Sequence, residues 1–269
     1  MTAQTLTEMR RLLERHGLKP RHAIGQHFLA DPNLTRRVVN EAKIEAGDRV
    51  LEVGPGTGTL TRQLVAAGAR VLAIEVDQSL RPVLAETLHD LPVDLRFADA
   101  AALDYNKVLG VGPWKVVANL PYQIGTQLIL DWLRWVPVIV EMTVMVQLEV
   151  AQRLVARPDS RVYGLPSVVV GLYADGGLRF KVPPQVFYPP PQVASAVIRL
   201  VRKTAPAAAE RAIELAAAGF GQRRKMLRGS LASVIEDPAA ALATAGIDST
   251  RRAENLTPID FVRLAEVAP

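Results

Sequence analysis

Gly54, Gly56 and Gly58 stand at alternate positions between the apolar run Arg49–Val53 and the helical pattern LTRQLVAAG, which reads as a strand, a tight loop and a helix start. Glycine accepts positive φ and lets a ligand approach the backbone, so such a loop under a helix N-terminus suits a nucleotide-like cofactor. The spacing is GxGxG; Thr59 stands where a dinucleotide fingerprint would place its third glycine. Glu75 closes the next strand-like run about twenty residues on, where an acid can take both ribose hydroxyls of an adenosine. An acid there serves NAD and S-adenosylmethionine equally well. Asp99, in FADAAALD after the third strand-like run, can accept from an adenine amino group. Taken alone, these features also fit a tight turn in a doubly wound domain with two solvated strand-end acids.

Asn119-Leu120-Pro121-Tyr122 adds chemistry that a generic nucleotide fold does not need. An adenine amino nitrogen is a poor nucleophile because its lone pair is delocalised into the ring. An enzyme that methylates it needs acceptors favouring pyramidalisation and the positive charge that develops there. The Asn119 side-chain carbonyl and the Leu120 backbone carbonyl can be those acceptors. Pro121 lacks an N–H and has a restricted φ, so it stiffens the turn. Tyr122 offers an aromatic face to a flipped base, where stacking contributes about 1–3 kcal/mol. Asn119 is neutral, so its role is orientation and charge stabilisation, and the proton leaves to solvent after transfer.

The elements that must position these residues alternate. Strand-like runs at 49–53, 70–76, 94–98, 115–118 and 138–146 are separated by helix-like segments at 60–67, 80–89 and 126–135. This order predicts an α/β fold with a mostly parallel sheet covered on both faces, and a ligand beyond the carboxyl ends of the strands. Upstream, residues 5–16 read as a short amphipathic helix, and Asp31 before Pro32 as the N-cap of a helix running to about Ala42. Between them Lys19, Arg21 and His22 form a basic arm, either solvated or in contact with phosphate. Downstream, 149–156 reads as a helix and 167–173, 178–182 and 195–201 as strands, with Asp175-Gly176-Gly177 as a turn. Beyond Lys203 the chain is alanine-rich and strand-poor, which places a boundary near residue 202 between domains 1–202 and 203–269, the second small and helical.

With 269 residues, 49% hydrophobic and 22% charged, the chain buries a full core, which excludes a disordered or fibrous protein. A net charge of +5 and a pI near 9.7 favour an acidic partner such as nucleic acid. The absence of cysteine excludes disulfides, thiolate zinc sites, cysteine-ligated iron–sulfur clusters and a cysteine nucleophile. The N-terminus has no apolar signal region, and the apolar run 135–146 is interrupted by Pro137 and Glu141, so a soluble cytoplasmic protein without a membrane segment is expected.

The motifs GQHFL from Gly25, LEVGPGTGTLT, AIEVD, the Asp99-Ala100 pair, NLPY, FYPPPQVASAV and FGQRRKMLRGSL occur in one order along nearly the whole chain. Together they resemble the small-subunit ribosomal RNA adenine dimethyltransferases. The resemblance implies a class I S-adenosylmethionine-dependent methyltransferase domain, Rossmann-like with a mostly parallel seven-stranded sheet, followed by a small helical RNA-facing domain. It implies transfer of methyls to the exocyclic amines of two adjacent adenosines in the 3′-terminal hairpin of small-subunit rRNA, with S-adenosylhomocysteine as product and no metal. By position, Gln26, His27 and Leu29 would hold the cofactor's methionine end, with Gly54 and Gly56 beneath it. Glu75 would bind the ribose, Asp99 and Ala100 the adenine, and Asn119 would sit between cofactor and target. His27 stands where the family also uses asparagine. Phe187 resembles the aromatic that pairs with the NLPY tyrosine to sandwich the base, although a proline-flanked aromatic can equally be an anchor under its turn.

Arg223, Arg224, Lys225 and Arg228 place four cations in six residues with no acid between them. On a helix, positions 224, 225 and 228 share a face suited to phosphate contacts, or a merely solvated one. The expected partner is small-subunit rRNA within an immature 30S-type subunit, and the expected state is a monomer. Two other functions remain open: a large-subunit rRNA methyltransferase of the antibiotic-resistance type, and an assembly factor whose binding matters more than its methylation. Thr59 and NLPY argue against a dehydrogenase.

Overall fold

The computed structural model describes residues 4–21 and 25–268; His22 of the basic arm lies outside them. In chain order the strands are β1 (Phe28–Leu29), β2 (Arg49–Val53), β3 (Arg70–Glu75), β4 (Val93–Phe97), β5 (Trp114–Asn119), β6 (Ile139–Gln147), β7 (Ala174–Val182), β8 (Phe187–Tyr188) and β9 (Ser195–Arg202). Among the described residues, seven of them form one sheet in the order β4-β3-β2-β5-β6-β9-β7, and β1 pairs with β8 in a separate ribbon. Strands β2 to β6 run parallel to one another, and β9 runs antiparallel to β6. The sheet is mostly parallel, as the alternating pattern predicts.

Two compact units divide the chain. The first comprises Met1–Ala151 and Gly176–Val201, and the second Gln152–Asp175 and Arg202–Pro269. The second unit thus takes in a segment that the sequence assigns to the first domain. In the first unit, Val50 of β2 and Val71 and Ala73 of β3 are buried in one cluster with Val38 and Val39 of helix Pro32–Glu41 and Leu60 and Leu64 of helix Thr59–Ala66. A second cluster seats Met9, Leu12 and Leu13 of the N-terminal helix Leu6–Arg15 against Phe28, Val83 and Leu84. Asp31 caps its helix as expected, with Oδ1 accepting from Leu34 N at 2.7 Å.

Three local expectations are overturned. Residues 167–173 belong to the helix Leu165–Tyr173 instead of a strand. Pro166 sits in its first turn, and Val168, Val169, Val170 and Leu172 are all buried, so the side chains are covered on every face and no amphipathic period separates helix from strand. Gly176 and Gly177 lie inside β7 and make no turn: a Cβ on Gly176 would stand 2.0 Å from the Arg199 carbonyl oxygen of β9, so glycine permits a close strand approach. The RRK cluster does not ride on a helix face, because helix Ala209–Gly221 ends before it and the short helix Leu227–Ser230 starts after it.

In the second unit, Tyr163, Phe220 and Phe261 form an aromatic core, with ring centroids 5.7 and 6.3 Å apart in sequence. The Tyr163 hydroxyl donates to the Leu256 carbonyl at 2.8 Å, satisfying the one polar atom of a fully buried ring.

Candidate active site

The sheet order reverses between β2 and β5, and their carboxyl ends carry Gly54 and Asn119 side by side. This is the switch point at which an open α/β sheet leaves a crevice. Gly54, Gly56 and Gly58 have φ of 75°, 60° and 80°, values that side-chain-bearing residues rarely adopt. At Gly56 a Cβ would also stand 2.8 Å from the Phe28 ring, so the loop could not keep its path with any other residue. Gln4, 7% exposed, closes the loop from behind: its Oε1 accepts from the Thr59 hydroxyl at 3.0 Å.

Glu75, 5% exposed, is oriented by two backbone donors, Gly56 N at 3.2 Å and Asp77 N at 2.9 Å. Burial raises its pKa above the ordinary carboxylate value, while these two hydrogen bonds act in the opposite direction. Each oxygen keeps a further lone pair for a ribose hydroxyl. Beyond it, a cavity of about 220 Å³ is lined by Glu75, Val76, Asp99, Ala100, Gln123 and Ile124 among others. Asp99 is exposed, and its Oδ1 accepts from Ala101 N at 2.9 Å in an N-cap.

Asn119 ends β5. Its Nδ2 donates to the His27 carbonyl at 3.1 Å, while its Oδ1 is buried and has no partner among the described residues. Leu120 is buried with its N–H on the Met145 carbonyl at 3.0 Å, and Pro121 leads into helix Gly125–Trp135. The Tyr122 hydroxyl is held 2.8 Å from Ser195 Oγ at the start of β9. The imidazole of His27 stacks on the Tyr122 ring, with centroids 5.6 Å apart and an interplanar angle of 29°. Gln26, His27, Gly54, Glu75, Asn119 and Tyr122 meet around one cavity of about 70 Å³.

The GQHFL residues divide in role. Gln26 points to Asp77, with Nε2 2.6 Å from Oδ2, and its Oε1 accepts from Arg21 N at 2.8 Å. Arg21 of the basic arm also reaches Asp77, at 3.1 Å. Leu29 pairs through its backbone with Phe187, and both side chains sit in the same core cluster. Phe187 is 2% exposed, and its pairing with Leu29 across β1 and β8 seats it in one core cluster with Val182 and Val197.

Glu52 and Asp77 escaped the sequence reading. Glu52 is 1% exposed, one oxygen has no partner among the described residues, and burial together with the like charge of Glu75 pushes its carboxyl up to about 8. Its signal was an acid inside the otherwise apolar strand VLEV. The signal for Asp77 is its place in AIEVD, two residues after Glu75. Ser195 and Gln4 carried no signal, because their partners are distant in sequence.

In the second unit, Arg223, Arg224, Lys225 and Arg228 are all exposed. Arg223 is spoken for: it pairs with Glu254 at 2.9 Å and donates to the Arg161 carbonyl at 3.0 Å.

A cofactor with an adenosine, a sulfonium and an amino-acid end fits the first unit. A buried diol acceptor, an adenine-sized cavity with an acid at its rim, a left-handed glycine loop and an unpartnered amide oxygen converge there. Fold and site together define a class I S-adenosylmethionine-dependent methyltransferase. A family model described as ribosomal RNA adenine dimethylase matches residues 17–268. Ribosomal RNA small subunit methyltransferase A of Brucella canis is 45% identical over 98% of this chain and 98% of its own length, and that of Chelativorans sp. is 46% identical over 98% and 99%. Among solved structures, the 23S rRNA methyltransferase ErmE is 29% identical with a TM-score of 0.69, covering 90% of this chain and 99% of its own. A dimethyladenosine transferase from Plasmodium falciparum shares the fold at a TM-score of 0.75 and 24% identity, over 88% of this chain and 96% of its own. This chain belongs to the ribosomal RNA adenine dimethylase family.

Proposed function

We propose that this enzyme dimethylates the exocyclic amines of two adjacent adenosines in the 3′-terminal hairpin of small-subunit rRNA, within an immature 30S-type subunit in the cytoplasm, acting as a monomer. The observation that carries the reading is the unpartnered Oδ1 of Asn119, held at the switch point beside Tyr122. S-adenosylmethionine supplies an electrophilic methyl on a sulfonium. Glu75 would hold its ribose, Asp99 and the backbone at Ala100 its adenine edge, and the glycine loop with His27 its amino-acid end. Asn119 Oδ1 and the Leu120 carbonyl would accept the two N–H groups of the target amine, favouring a pyramidal nitrogen and stabilising its developing charge. Tyr122 would stack on the base and fix the line of attack. The amine proton then leaves to solvent.

The turn after helix Ala209–Gly221 and the short helix Leu227–Ser230 would present Arg224, Lys225 and Arg228 to phosphate, with Arg223 bracing the turn. The high identity to small-subunit enzymes supports this substrate over the large-subunit one, since the likeness to ErmE is lower in identity. Incubation of purified protein with methyl-labelled cofactor and under-methylated small subunits, followed by mapping of the modified nucleotides, tests the reading. Dimethyladenosine at two adjacent positions is expected. Cofactor binding without transfer, or label confined to large-subunit rRNA, would overturn it.

A further inference from the structure

His27 does more than line the cofactor cavity, because its imidazole lies on the face of Tyr122. With centroids 5.6 Å apart the two rings are in stacking contact. A base between them would need a separation of about 7 Å, two layers at van der Waals spacing. The target base therefore cannot stack on this side of Tyr122 until one ring moves.

The anchoring of the two rings decides which one moves. Tyr122 is tied through its hydroxyl to Ser195, which is fully buried and paired with Gln147 in the sheet. His27 is tied through Nδ1 to the carbonyl oxygen of Pro189, in the loop between β8 and β9, at 2.8 Å. A carbonyl only accepts, so Nδ1 carries the hydrogen, and the ring has this hydrogen bond to lose. The His27 backbone stays in place, because its carbonyl accepts from Asn119 Nδ2. Rotation of one side chain is enough to clear the face.

We propose that His27 is a resident occupant of the base-stacking face of Tyr122 and that the target adenine must displace it. This rests on the reading of Tyr122 as the base platform. A displaced occupant sets a threshold: an adenine already unstacked in a loop pays only for moving His27, while a paired one must also pay for leaving its helix. His27 is thus a positioning residue whose displacement adds the same cost for every base that enters, and whose removal tightens binding without changing the preference between the two.

The test uses the full-length protein saturated with S-adenosylhomocysteine and two probes, a single-stranded oligoribonucleotide and a duplex, each with 2-aminopurine at one position. Fluorescence quenching reports stacking, and calorimetry gives the S-adenosylhomocysteine affinity of each variant separately. Replacing the imidazole removes one hydrogen bond and one aromatic contact from the competition, so His27→Ala should bind the single-stranded probe about tenfold more tightly, with deeper quenching. The duplex should gain by the same factor, because the cost removed is common to both probes. His27→Asn keeps a donor for Pro189 but has no ring, so it should show the same gain in quenching with the folded state preserved. In Tyr122→Leu the gain from His27→Ala should vanish. Weaker binding by His27→Ala would make the imidazole a wall of the base site and overturn the proposal, as would unchanged binding. Quenching in the wild-type protein that survives Tyr122→Leu would instead remove Tyr122 as the platform, and this inference with it.

Discussion

Asn119 donates through Nδ2 to the carbonyl oxygen of His27 at 3.1 Å, and this contact leaves the Asn119 Oδ1 buried without a partner among the described residues, beside the active-site cavity. An unsatisfied acceptor costs the folded protein free energy. A donor that arrives with the substrate recovers it. The amine of an adenine has the N–H groups to do so.

Asn119→Ala should therefore lower kcat by about 10²–10³-fold, the usual cost of removing one preorganised group that stabilises developing charge. S-adenosylmethionine affinity, read by calorimetry, should change by less than about tenfold, because the glycine loop and Glu75 are untouched. Equal losses in cofactor affinity and in turnover would place Asn119 in cofactor binding alone.

Glu52 gives a pH-dependent stability. Its carboxyl ionises near 4.5 as an ordinary side chain and at about 8 in the fold, where burial opposes the charge. Between those values the folded protein holds a proton that the unfolded chain has released. Stability is therefore full below about 4.5 and falls as the pH rises through about 8. Glu52→Gln keeps the shape and cannot ionise. In scanning calorimetry without cofactor, its Tm should gain on the wild type across that window, and a difference that does not vary with pH would contradict the account.

The basic turn of the second unit separates two kinds of cation. Arg224, Lys225 and Arg228 are exposed, whereas Arg223 braces the turn through Glu254 and the Arg161 carbonyl. The triple change to alanine at 224, 225 and 228 should weaken binding to small subunits and reduce the slope of log affinity against log salt by roughly 2–3. Stability should change by no more than about 0.5 kcal/mol per site. Arg223→Ala should instead lower the Tm. An unchanged salt slope in the triple variant would remove these residues from the RNA contact.

The alternating run of strands and helices was readable because a buried parallel sheet imposes apolar segments of fixed length, and β2 ends where the pattern places it. Reading failed where burial is uniform. The segment SVVVGLY has no polar face from which a period could be taken, and its helix is decided by the neighbours that cover it. Gly176 failed for the opposite reason: a glycine pair looks like a turn, and only the partner strand shows that it permits close contact.

The same division holds at the site. The sequence by itself determined the residue types and their placement at strand ends, because the glycine loop, Glu75, Asp99 and NLPY are local patterns whose chemistry follows from spacing along one chain. Tertiary structure alone decided which side chains are free to act. Pairing of β1 with β8 buries Phe187, Asp77 draws Gln26 and Arg21 toward itself, and the Asn119–His27 contact sets an imidazole over Tyr122. These are contacts between residues from about 50 to 160 positions apart, and a hydrogen bond or a stacked ring at that separation leaves no periodicity in the sequence.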